Sequence, residues 1–369
     1  MVEVLTSGIA LGVHVPGVLL ANRLRASGVP AAVTVLESLL TAPKQARAEA
    51  NRAVFHADFR LARAGHRVVR APTEDVDPAG LDALFARWDA EQPERFVVFS
   101  GFWIPLLRRY EEHAATPMAV DLCHVDSVDS PSFRSPAPQA WRTVRLADAA
   151  HRTLPTTIPP TGLEPVPWHE RLDDSRVLAH GGGWGMGTYR DCAATLSASG
   201  IAVDVVVHDP ADPLPRGPGD RRFAIDPAWH PWHDGGLPPF AELGPTGDGV
   251  YRRGEDHHAS FALVRHAIAV AGKPGGGTLL DSLHAATPLI LLDALAPHEE
   301  RNARLWLDLG FAVAFRDWLD AGSPLAPLEE AHRRLAAARP GVPDYSRHLA
   351  KEYAVPCRPG PPRSSRRPR

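Results

Sequence analysis

Four consecutive residues, Gly275, Gly276, Gly277 and Thr278, stand at the centre of GKPGGGTLLDSLHAATPLILLD (Gly272 to Asp293). A strand-like apolar run ends at Ala271 and a helix-like run opens near Thr278, so the glycines occupy the turn between them. Backbone N–H groups at such a turn, added to the positive end of the helix dipole, make a site for an anion, naturally a pyrophosphate. Glycine permits this because a Cβ would stand between backbone and phosphate. No GK[ST] follows the glycines, which excludes a Walker A loop. Asp281 lies one turn into the helix, where a carboxylate can accept hydrogen bonds from ribose hydroxyls. Taken alone, the same residues also describe a tight turn followed by a surface aspartate.

Two further stretches repeat the strand–turn–helix pattern. AHGGGWGMGTYRD ends at Asp191 and carries Gly183 and Gly185. It also fits the dinucleotide site of an NAD(P) oxidoreductase, with Asp209 at the end of the following strand as the ribose acid. The fit to GxGxxG is incomplete, because Thr188 falls where Gly or Ala is needed. ALGVHVPGVLL (Ala10 to Leu20) puts His14 and Pro16 where a first strand should turn into a first helix. That histidine is either packing or chemistry.

As a set, these stretches resemble the GT-B glycosyltransferases. The likeness is nearest to the branch with the lipid-II-forming N-acetylglucosaminyltransferase and the galactosyl-diacylglycerol synthases. Gly275, Gly276, Gly277 and Thr278 match that family's phosphate turn, and Asp281 stands at its ribose carboxylate. Within APHEERNARLWLDLG, Glu299, Glu300 and Asn302 match its QExxNA-like, sugar-binding element. His298 replaces the usual glutamine or aspartate, which implies different sugar hydroxyl contacts. Ala286–Thr287 stand before Pro288 where the family usually has Ala-Gly. The turn with Gly183 and Gly185 resembles the family's loop facing the diphosphate. Gly12, His14 and Gly17 overlay a GGHxxP-like first loop, with Pro16 one place early.

The resemblance implies a division of labour. Gly12, Gly183, Gly185 and Gly275–Thr278 would hold the donor diphosphate, Asp281 the ribose, and His298, Glu299 and Asn302 the sugar. His14 would be the base. An inverting transfer needs a group to take the acceptor's proton, and an imidazole with pKa about 6.5 suits that task. The leaving diphosphate needs no acid if the glycine turns stabilise its charge.

Other polar clusters read less sharply. DLCHVDSVDS places His124 and Asp126 after a first-domain strand, at the expected acceptor pocket, and Trp103 in FSGFWIPLL reads as an acceptor wall or as core. AWHPWHDGG and EDHH gather His230, His233, Asp234, His257 and His258 in one loop. Without a helix to fix its HxxH spacing, that loop reads as a border to the nucleotide base, with Trp229 or Trp232 to stack. We find no DxD-type acidic pair placed to carry a metal, and none is expected.

These groups must be positioned by an alternation of short strand-like and helix-like runs, the pattern of an α/β fold with parallel sheets. Strands are expected at 2–5, 31–36, 96–99, 201–207, 268–271, 289–292 and 311–315. Helices are expected at 16–26 and 44–65, and a long loop at 209–256. The prolines of TLPTTIPPTGLEPVPW forbid regular structure and mark a linker. The expected architecture is two Rossmann-like domains facing across a cleft. Residues 1–165 would hold the acceptor and 166–345 the nucleotide sugar, with 346–369 a basic Pro/Arg-rich disordered tail.

Composition limits the function classes. A formal net charge of −3 draws the chain neither to nucleic acid nor to an anionic membrane. Three cysteines, odd in number and without CxxC spacing, indicate neither a disulfide framework nor a zinc site and point to the cytoplasm. No apolar run approaches the roughly 18 residues of a membrane span, and no signal-peptide pattern opens the sequence. The expectation is an inverting, metal-independent and cofactor-free glycosyltransferase of secondary metabolism. Its partners would be a small soluble acceptor and a UDP, GDP or TDP sugar, the base left open. A nucleotide-sugar 2-epimerase, an NAD(P) oxidoreductase and a non-catalytic sugar-nucleotide-binding protein are the alternatives.

Overall fold

Every residue of Val2–Thr6 is buried, which marks a central strand covered on both faces. The computed structural model describes residues 1–9, 11–67, 75–212, 217 and 219–354. In the first half, strands β1 (Val2–Thr6), β2 (Ala31–Val35), β3 (Arg95–Val98), β4 (Ala119–His124) and β5 (Arg142–Arg145) form a parallel sheet in the order β2-β1-β3-β4-β5. Helices α1 (Leu11–Ala26), α2 (Ala42–Ala57), α3 (Phe59–Arg67), α4 (Pro78–Glu91) and α5 (Ile104–Glu111) join them.

The second half holds seven strands: β6 (Arg176–His180), β7 (Ala202–Val207), β8 (Arg221–Ile225), β9 (Phe240–Leu243), β10 (Ala269–Gly272), β11 (Leu289–Leu291) and β12 (Ala312–Ala314). Their order is β12-β11-β10-β6-β7-β8-β9, all parallel except the edge strand β9. The helices are α6 (Trp168–Arg171), α7 (Tyr189–Ala198), α8 (Ser260–His266), α9 (Gly276–Ala285), α10 (Pro297–Asp308), α11 (Phe315–Asp320), α12 (Ala326–Ala338) and α13 (Tyr345–Ala354). In such sheets ligands bind beyond the carboxyl ends of the strands, where the winding direction reverses. Here the reversal lies between β6 and β10 in one sheet and between β1 and β3 in the other. The two glycine-rich turns follow β6 and β10, and His14 follows β1.

Four expectations change. Helix α1 begins at Leu11, so His14 lies inside a helix and not in a turn. Pro16 sits near the helix start, where its ring costs one bond to the Gly12 carbonyl, and burial of Val18, Leu19 and Leu20 outweighs that loss. The single helix expected at 44–65 is two, because Asp58 is extended (φ −136°, ψ 107°) and its carboxylate accepts from the N–H groups of Arg60 and Leu61. The loop at 209–256 contains β8 and β9, which pair with each other and extend the sheet.

The chain also returns. Instead of opening a disordered tail, Ser346–Ala354 lie in α13, with Leu349 fully buried against the first sheet's core. The Tyr345 hydroxyl donates to Asp121 at 2.6 Å, and Glu352 pairs with Arg95 and Arg142 at 2.8 Å each. Spacing of Tyr345 and Leu349 by four residues gives the apolar stripe that docks. The tail's remaining residues, 355–369, lie outside the described residues.

Candidate functional site

The two glycine-rich turns meet α1 where the halves face each other. In the turn after β6, Gly182, Gly185 and Gly187 have positive φ (71°, 60° and 116°), conformations that a Cβ disfavours. The Gly182 N–H donates to His180 Nδ1 at 3.0 Å, and the Met186 N–H closes the turn onto the Gly181 carbonyl. Gly183 is required for space alone: a Cβ there would fall 2.4 Å from the Leu11 side chain of α1. A Cβ on Gly277 would lie 3.2 Å from Gly12 Cα, and one on Gly276 2.8 Å from Val125. Gly183, Gly276 and Gly277 therefore let the turn after β6 and the start of α9 close onto α1 and the segment at Val125.

Helix α9 is capped at Gly275, and its first N–H groups, Gly276 to Thr278, have no partner within the helix. Asp281 follows one turn later and is partly exposed; His258 Nε2 lies 3.0 Å from its carboxylate. His258 Nδ1 is in turn 2.9 Å from the Ser260 hydroxyl. His180 is held near pKa 4 by burial, so its Nδ1 stays free to accept from the turn.

Beside this lies an ion pair that sequence reasoning passed over. Lys273 Nζ donates to Glu299 Oε1 at 2.6 Å, with both side chains largely enclosed. The other Glu299 oxygen accepts the Leu295 N–H at 2.7 Å. Burial works to raise the Glu299 carboxyl, yet Lys273 and the Leu295 N–H hold it below the ordinary range. The sequence signal for Lys273 was its place directly after β10, ahead of the glycines. His298 is partly buried beside His66, ring centroids 5.3 Å apart. Burial and that neighbouring ring push His66 down to about 4.

Asn302 is fully buried and joins the two halves. Its amide donates to Asp126 Oδ1 at 2.8 Å and to the Pro274 carbonyl at 2.9 Å, while its oxygen accepts the Ser127 N–H at 2.8 Å. Asp126 thus faces Asn302 across the cleft.

His14 is fully buried, with Nε2 3.1 Å from the Gly236 carbonyl and Nδ1 3.1 Å from the Thr6 hydroxyl. A carbonyl only accepts, so Nε2 carries the proton and Nδ1 accepts from Thr6. Burial pulls the ring down to about 4, against the pull of the Gly236 carbonyl and Asp234 in the other direction. In this conformation neither nitrogen is open. The second-half loop covers it: Trp229 packs 6.1 Å from the His14 ring, and Trp232 lies against Gly8.

The acceptor-side residues divide. His124 stacks on Phe133 (3.9 Å between centroids) and lies 3.2 Å from Asp129; burial, then Arg145, pushes it down to about 4. Trp103 is core, not wall: it is fully buried beside Trp88, and its indole N–H donates to the Thr6 carbonyl at 2.8 Å. Among the described residues, no group of three or more His, Cys, Asp or Glu could hold a metal, and no helix is long and apolar enough to cross a membrane.

No family model matches the sequence, and no curated protein matches it. Solved structures do match by fold. The Streptomyces sp. SF2575 glycosyltransferase SsfS6, complexed with thymidine diphosphate, is similar at TM-score 0.60 and 16% identity over 96% of this chain and 100% of that one. The spinosyn rhamnosyltransferase SpnG is similar at 0.56 and 14% with thymidine diphosphate and at 0.52 and 14% with spinosyn aglycone, each over 96% and 100%. The glycosyltransferase SnogD from Streptomyces nogalater is similar at 0.51 and 15% over 96% and 98%. These likenesses show the fold, two parallel-sheet α/β domains of the GT-B type.

Proposed function

We propose that this chain is a glycosyltransferase that moves a sugar from a nucleoside diphosphate to a small soluble acceptor. The carrying observation is convergence: two glycine-rich turns and the start of α1 meet at the switch points of two facing sheets, with Asp281 one turn along the helix that the second turn opens. The donor half follows the branch resemblance, with Gly183, Gly185 and Gly275–Thr278 around the diphosphate, Asp281 at the ribose and His298 toward the sugar. His124 and Asp126 border the acceptor. Two of the similar structures hold thymidine diphosphate, so we take TDP as the first nucleotide to test, and the aglycone in SpnG supports a natural-product acceptor.

The chemistry is a single inverting displacement without a metal. The acceptor's nucleophilic atom bonds to the anomeric carbon as the bond from that carbon to the diphosphate oxygen breaks. The electron pair leaves on the diphosphate, and the acceptor's proton passes to His14 Nε2. That step requires the loop around Gly236 to withdraw first and the ring to change tautomer, its proton moving from Nε2 to Nδ1 where the Thr6 hydroxyl then accepts it, because the resting imidazole directs its Nε2–H at a carbonyl.

Thermal-shift screening against TDP, UDP, GDP and their common sugars tests the reading, since a ligand bound only by the native state raises apparent stability. Binding of at least one diphosphate is expected. No shift with any of them overturns the reading. A donor-only incubation that epimerises the sugar would instead establish the 2-epimerase. His14→Ala should leave nucleotide affinity within a few-fold while cutting turnover by about 10²–10⁴.

A further inference from the structure

Lysine occurs only three times in a chain that otherwise carries its positive charge on arginine: Lys44, Lys273 and Lys351. Lys351 is exposed and Lys44 is half-buried and paired with Asp75, whereas Lys273 is largely enclosed at the end of β10. Its stem and ammonium lie between the glycine turns. A Cβ on Gly275 would stand 3.5 Å from Nζ, one on Gly182 3.8 Å from Nζ, and one on Gly187 4.0 Å from Cδ. One ammonium donor goes to Glu299, whose second oxygen is tied to the Leu295 N–H, so the carboxylate is anchored and the lysine is held in place. Two donors remain. A compact ammonium with three rotatable donors suits a narrow gap between two backbones better than a planar guanidinium does.

We propose that Lys273 is the side-chain cation that binds the β-phosphate of the donor and neutralises the charge gained as the sugar departs, with Glu299 as its positioning residue. This rests on the glycosyltransferase reading. When the anomeric C–O bond breaks, the electron pair stays on the β-phosphate oxygen and adds one negative charge. Backbone N–H groups contribute partial charges there, and Lys273 contributes an ionised donor whose charge Glu299 offsets in part while fixing its position. Glu299 thereby acts through Lys273 and not on the sugar.

The test is the preference for diphosphate over monophosphate, measured calorimetrically with TDP and TMP, and in parallel with the UDP/UMP and GDP/GMP pairs. Two variants are used, Lys273→Met and the double variant Lys273→Met/Glu299→Gln. The second leaves no lone buried carboxylate and so guards against simple misfolding. Both should lose about 10–100-fold in diphosphate affinity, as expected for a charge-assisted contact, while monophosphate affinity stays within threefold of wild type. An unchanged ratio in the folded double variant overturns the assignment while leaving the glycosyltransferase reading intact. Equal losses of both nucleotides also overturn it, because they make the pair purely structural. Wild-type protein that binds none of the six nucleotides overturns the functional reading, and this assignment with it.

Discussion

Replacing His14 by glutamine should change the pH dependence of stability by a predictable amount. The folded ring has its pKa lowered from 6.5 to about 4, chiefly through burial. A histidine depressed in the folded state contributes fully above its unfolded pKa, and that contribution is lost as pH falls, because the unfolded chain takes up the proton and the folded one refuses it. The window therefore opens near pH 6.5 and closes near pH 4. For a shift of this size the loss is about 2 kcal/mol at pH 5 and about 3 kcal/mol once both states are protonated. Glutamine does not titrate, yet it can still donate to the Gly236 carbonyl. Other buried histidines, His180 and His284 among them, titrate alike in both proteins and cancel. Urea unfolding of wild type and His14→Gln at pH 7.5 and pH 5.0, followed by tryptophan fluorescence, reads the difference. The stability gap should move by about 2 kcal/mol in favour of the variant at the lower pH. The same gap at both pH values would refute the reasoning, for it would mean that His14 protonates equally well folded and unfolded, as an open ring does.

Two further substitutions probe the meeting of the halves. Gly183→Ala puts a methyl group 2.4 Å from Leu11, so an overpacking cost of about 1–3 kcal/mol is expected, with reduced turnover. Because the Leu11 Cβ itself stands 2.4 Å from that methyl, adding Leu11→Gly, and not Leu11→Ala, should recover most of it, and a double-mutant cycle without coupling shows that the contact is not what matters. Asn302→Ala strips partners from Asp126, the Pro274 carbonyl and the Ser127 N–H. We expect about 2–4 kcal/mol of destabilisation by urea titration, and a cost below about 1 kcal/mol removes the clasp from the account.

The fold was largely legible because its signals are local. Buried parallel strands are short apolar runs, and glycines announce the turns that follow them, so β1, β6, β10 and both glycine turns stand where the sequence puts them. The extension of α1 was not legible, since Pro16 reads as a boundary and only the core behind Val18, Leu19 and Leu20 overrides it. Strands β8 and β9 were hidden for a similar reason: their pairing partners, and not their own short runs, make them strands. The basic composition beyond Pro356 masked a helix whose docking depends on Asp121, Arg95 and Arg142, over two hundred residues earlier.

The sequence alone determined the residue types at the candidate site: glycines that permit close backbone approach, an aspartate one turn into a helix, a histidine after the first strand. Tertiary structure decided which polar atoms remain available. It turned Trp103 into core, closed His14 between Thr6 and Gly236, committed Asn302 to three bonds across the cleft, and paired Lys273 with Glu299 between the glycine turns. Chemical identity belongs to each residue by itself, whereas burial, tautomer and charge partner are set by atoms far away in the chain, and no spacing rule encodes those distances.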